Sequence, residues 1–355
     1  MSIVLAKDEN TVTLSDTLSF IDISLGFTVT NTNRTEIIFD ARTAQSISNP
    51  NNYCVSVVLL NPTTVRIQRG GTAGAMVVHY QVIEYTVASG FLVDTGSTTF
   101  STSPLNITIP NRAQANRYAR CAVRTTAGSA AAIEDAVVTY EVTSNTNLQI
   151  QGPASASTTI DWQVVYGPDQ TVYNQSGLAT GTSFNVNLTG LGIVPEESFV
   201  IQSMRNNGPV SPGIDTDEIK GAYLTTNNLE IYSFFADSHD FVAQIVHRSK
   251  NRVDRDDNTY TVTPFAITLV DPVDVNRTYI NLCAPLGYLA PVNEFSNDAQ
   301  RFAHTSILNT STTITLQKFI SGDSTRLVSE AVYLDGNPTV GSSGYVTGIR
   351  QRRSV

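Results

Sequence analysis

The sequence predicts an all-β protein built from four tandem antiparallel β-sandwich-like repeats of about 80 residues each. Two observations carry that prediction. Apolar and polar residues alternate at period two in short runs that return at a near-constant interval, and 3.6-residue periodicity is almost absent. Composition agrees: apolar residues make up 41% and charged residues only 15%, so Thr, Ser, Asn and Gln must cover most of the surface.

The first landmark follows an arm of about sixteen residues. It is a strand that recurs as Ile21-Asp22-Ile23-Ser24-Leu25, Leu105-Asn106-Ile107-Thr108-Ile109, Phe184-Asn185-Val186-Asn187-Leu188 and Phe265-Ala266-Ile267-Thr268-Leu269, at intervals of 84, 79 and 81 residues. Alternation of this kind turns one side-chain face to a core and the other to solvent. A second apolar segment follows around Ile37 to Phe39, Cys121 to Val123, Phe199 to Ile201 and Ile280 to Leu282.

Next comes a hairpin turn at Asn61-Pro62-Thr63-Thr64, Ser144-Asn145-Thr146-Asn147, Thr225-Thr226-Asn227-Asn228 and Asn309 to Thr313. Asn, Ser and Pro favour reversal there through side-chain-to-backbone bonds and a fixed φ. Each turn opens into a short strand starting at Val65, Leu148, Leu229 and Ile314. A closing strand ends the unit: Tyr80-Gln81-Val82-Ile83, Trp162-Gln163-Val164-Val165, Ala243-Gln244-Ile245-Val246 and Ser329-Glu330-Ala331-Val332. Three of these four share the Gln.

The landmarks divide the chain into an arm (1–16), repeats over 17–95, 96–178, 179–258 and 259–338, and a Gly/Ser- and Arg-rich tail over 339–355. Gly-, Ser- and Asn-rich joints are expected near Gly96 to Thr102, Asn174 to Thr182 and Arg252 to Thr259. They are short, so adjacent units should hold defined orientations. Stretches with helical character are short, and the best of them, near Ala127 to Ile133, reads as one turn of helix or a loop.

The net charge of −9 argues against a nucleic-acid partner, which calls for a basic stripe. No apolar run is long enough to span a bilayer, and Lys7, Asp8 and Glu9 interrupt the stretch where a secretory signal would be apolar, so synthesis in a cytoplasm is expected. Cys54, Cys121 and Cys283 are odd in number and widely spaced, which predicts buried free thiols. His79, His239, His247 and His304 sit at non-equivalent places and suggest no shared site. The Gly-rich piece Arg69 to Gly74 reads as a hairpin loop, since it lacks the Lys-Ser/Thr ending of a phosphate cradle.

One cluster has ligand-like spacing: Asp254, Asp256 and Asn258 place alternate oxygen donors as a calcium loop does, though no Gly or bidentate Glu follows where that loop needs them. Arg350, Arg352 and Arg353 reverse the local charge of an acidic chain and are the expected partner contacts, with the arm and tail docking on neighbouring subunits. No enzyme and no cofactor is expected.

Two families are similar in style. Ile160-Asp161-Trp162-Gln163-Val164 resembles the closing-strand motif of the H-type lectin domain, a six-stranded sandwich, which would imply binding of a host glycan. The chain as a whole, Lys-poor and Thr/Ser/Asn-rich, resembles accessory structural proteins of tailed-bacteriophage virions. That resemblance implies a virion protein, in a decoration, tail-surface or fibre-type role, whose partners are other virion proteins and copies of itself. The alternative it leaves is a receptor- or glycan-binding adhesin.

Overall fold

The computed structural model describes residues 3–43, 50–126, 138–152, 157–206, 220–233, 238–260, 264–269, 272–282, 304–318 and 325–334. They form 24 strands in four units of six. Unit 1 holds β1 (Val4–Leu14), β2 (Phe20–Ser24), β3 (Thr35–Thr43), β4 (Val55–Asn61), β5 (Thr64–Arg69) and β6 (Met76–Tyr85). Unit 2 holds β7 (Leu92–Thr99), β8 (Leu105–Thr108), β9 (Arg117–Thr125), β10 (Thr139–Ser144), β11 (Asn147–Gln151) and β12 (Thr158–Tyr166). Unit 3 holds β13 (Thr171–Ala179), β14 (Ser183–Asn187), β15 (Ser198–Asn206), β16 (Lys220–Leu224), β17 (Asn228–Ser233) and β18 (His239–His247). Unit 4 holds β19 (Arg252–Tyr260), β20 (Phe265–Thr268), β21 (Thr278–Leu282), β22 (His304–Thr310), β23 (Thr313–Lys318) and β24 (Thr325–Tyr333).

Every unit has one topology. Its first, sixth and third strands form one antiparallel sheet in that order, and its second, fifth and fourth form the other. The sixth strand is central in its sheet and covered on both faces, so β6 is buried at every residue, His79, Gln81 and Glu84 included. The second strand is an edge with one wet face, and β2 and β14 alternate exposed and half-buried residues accordingly.

The first strands are where structure and sequence reading part. The arm and the three joints expected at Gly96, Asn174 and Arg252 are strands β1, β7, β13 and β19, each paired along its length with the closing strand of its own unit. Each unit therefore begins with the strand that reads as its linker, and the divisions at 95/96, 178/179 and 258/259 fall inside β7, β13 and β19. These strands look like linkers because each lies at the edge of its sheet, where Thr, Ser, Gly and charge are tolerated. The Arg69 to Gly74 stretch also differs: it crosses from the end of β5 to the opposite sheet, where β6 lies. The helical turn expected near Ala127 to Ile133 lies outside the described residues. A single turn at Pro50–Tyr53 is the only α-helix among those described.

The true linkers run over 86–91, 167–170 and 248–251, and they converge. Phe91 stacks on Tyr85 at 4.7 Å between ring centroids, and the Arg248 guanidinium lies 5.6 Å over Phe91. Arg248 also donates to Asp169 at 2.8 Å and to the carbonyl of Leu334, just past the last strand, at 2.5 Å. Gly90 adopts φ +71, and a Cβ there would meet Pro168 at 2.9 Å, so both its conformation and its neighbour call for glycine.

Candidate functional site

The four units close into a ring, and one repeated side chain closes it. The residue at the sixth position of each closing strand is Gln81, Gln163, Gln244 or Glu330. In every case it points out of its own sandwich onto the third strand of the preceding unit.

At the joint of units 1 and 2, the Gln163 amide accepts from the Ile37 N–H at 2.9 Å and donates to the Ile37 carbonyl at 2.8 Å. Gln244 does the same to Ala119 across units 2 and 3, at 2.8 and 3.0 Å. Gln81 of unit 1 grips Ile280 of unit 4, at 3.0 and 3.1 Å, and so joins the last unit to the first. Each amide acts as a one-residue strand, satisfying both backbone groups of an edge strand that is buried against it.

The fourth closing strand carries Glu330 where the others have Gln. A carboxylate can accept from the Val200 N–H, at 3.0 Å, but cannot donate to its carbonyl. Asn281 of the same unit supplies that bond at 2.8 Å and also donates to Glu330 at 2.7 Å. Arg255 neutralises the remaining oxygen at 2.5 Å and reaches the Ser198 carbonyl of unit 3 at 2.7 Å. Three side chains thus replace one amide.

The third strands of all four units meet at the ring axis. Their second positions are Glu36, Tyr118, Phe199 and Tyr279, with Tyr118 to Phe199 and Phe199 to Tyr279 both edge-to-face at 5.7 and 5.8 Å. Glu36, fully buried, accepts from Arg120 at 2.9 Å, from Tyr85 at 2.5 Å and from Tyr118 at 2.9 Å. Arg120 also donates to Asn281 at 3.2 Å, linking the opposite units 2 and 4. Burial, then the Glu36 charge, pushes the Tyr85 and Tyr118 phenols well above their ordinary range, so they are donors at any physiological pH.

Grooves open between units beside the clamps. That between units 1 and 2 has a volume of about 460 Å³ and is lined by Asp161, which accepts from Ser56 at 2.6 Å and Arg124 at 2.6 Å. The groove between units 4 and 1, about 520 Å³, has His79 at the equivalent strand position. His79 lies 3.0 Å from the Thr11 hydroxyl and 3.0 Å from Glu9, and Lys7 pairs with Glu9 at 2.5 Å. Thr11, His79 and Glu9 have the connectivity of a proton relay, but they lie flat on two paired strands, with Glu9 held by Lys7. The arrangement gives a buried histidine a polar neighbour on each side.

The residues singled out in the sequence lie elsewhere. Asp254, Asp256 and Asn258 are on strand β19, not in a loop, and Arg252 pairs with Asp254 at 3.3 Å. Among the described residues no three His, Cys, Asp or Glu side chains gather as metal ligands. Arg350, Arg352, Arg353 and Cys283 lie outside the described residues, while Cys54 and Cys121 are buried free thiols. Trp162 alternates with Asp161 and Gln163 and so faces into its own sandwich, over Gly96. No helix among the described residues is long and apolar enough to cross a membrane.

No protein-family model matches the chain, and no curated protein matches its sequence.

Proposed function

We propose that the chain is a non-enzymatic structural protein of a viral particle, assembling with other particle proteins and with copies of itself. The observation that supports this reading is the closed ring. Its recurrent polar residues, Gln81, Gln163, Gln244 and Glu330, are all spent on holding one unit to the next. A rigid body with four similar outer faces suits a stoichiometric building block, because each face can engage a partner and the contacts reinforce one another.

Mass spectrometry of gradient-purified particles tests it. The chain at a fixed ratio to the shell or tail proteins is the expected result. Particles that lack it, together with glycan-array binding by the purified protein, would overturn the proposal in favour of an adhesin.

A further inference from the structure

We infer that the contact between the fourth and first units is an assembly switch, able to close the ring within one chain or to join two copies of this chain head to tail. This stands apart from the viral reading, since it concerns the chain's contact with itself.

The ring is built from one heterologous contact used four times: a closing strand of one unit on the third strand of its neighbour. Such a contact makes a closed ring when the rotation closes and an open assembly when it does not. At three joints the chain runs on through linkers of six, four and four residues, which hold the correct neighbour in place. The joint of units 4 and 1 has no linker. A second copy offers the same Ile280 edge to Gln81 as the chain's own unit 4 does.

This joint also carries fastenings of its own. Backbone pairing of His304 with Ala41 continues the sheet of unit 1 into β22, β23 and β20, giving the one six-stranded sheet among the described residues. Arg42 reaches Thr305 at 3.3 Å and Gln317 at 3.1 Å, and Lys7 donates to the carbonyls of Thr278 and Val275 at 2.6 and 3.1 Å. Other joints have side-chain bonds besides the clamp, such as Ser56 to Asp161, but among the described residues only this one joins the sheets of two units by backbone pairing.

The test compares two chemically identical substitutions in the full chain, Gln81→Ala and Gln163→Ala, by light scattering after size-exclusion chromatography across a concentration series. Both remove one amide clamp, but only the first does so where no linker joins the two units. Gln81→Ala weakens the contact alike within a chain and between copies, so it should leave the final share of dimers near the parent's but speed the approach to it roughly tenfold after a jump in concentration, with its β circular dichroism retained. Gln163→Ala should approach it at the parent's rate. Equal behaviour of the two, whether monomeric, oligomeric or unfolded, would overturn the inference. So would loss of the β signal in Gln81→Ala alone, for then the clamp holds the fold and not the choice of partner.

Discussion

Glu330 shows how closely a buried carboxylate depends on its company. Glu330→Gln would restore the amide found at the other joints but take the counter-charge from the half-buried Arg255, and a loss of about 3 kcal/mol in denaturant unfolding is expected. Gln244→Glu should cost at least as much, because unit 3 has Ile201 where unit 4 has Asn281, leaving the Ala119 carbonyl without a donor. Glu9 makes a pH-dependent counterpart. Burial opposes its ionisation, but the His79 bond and the Lys7 charge outweigh it and hold the carboxyl below its usual range. A depressed folded pKa adds stability above the unfolded value of about 4.3 and loses it as pH falls through the folded one. The melting-temperature gap between the parent and Glu9→Gln should therefore hold steady at neutral pH and narrow as pH falls below about 4.3.

Among the elements, β7 gives the sharpest test. A Cβ on Gly96 would fall 2.4 Å from the Trp162 ring, so Gly96→Ala must displace the indole, at a cost of about 1–3 kcal/mol. Trp162 is the only Trp, and a shift in its emission would report that displacement directly. Strands two to six of each unit are legible in the sequence because their alternation and turn residues are local signals. The first strands are not: β1, β7, β13 and β19 find their pairing partners far downstream, at the other end of the unit, and their place at a sheet edge accepts the residues of a linker. The Gln of the closing strand is visible as a repeat, but its task is hidden, since its partner lies in another unit. Glu330 obscures even the repeat.

At the scale of the whole molecule, the axis ties the units into one cooperative body. Calorimetry should show a single transition for the ring, where four independent sandwiches would show several. Arg120→Leu leaves Glu36 buried without its counter-charge, and a loss of about 3–5 kcal/mol is expected. Glu36→Leu with Arg120→Leu should recover only part of that, because Tyr85 and Tyr118 lose their shared acceptor. Double-mutant analysis of denaturant midpoints would measure the difference.

The axis has a consequence for ancestry. In a ring of four identical subunits every substitution appears four times, so a Glu at the second position of the third strand would bring four like charges together. Joining the units in one chain lifts that restriction, and each position can drift alone. Glu36 beside Tyr118, Phe199 and Tyr279, with Arg120 bonded to both Glu36 and Asn281, is a set that no symmetric tetramer could encode. With four units in one chain, the crowded axis becomes four separately mutable sites.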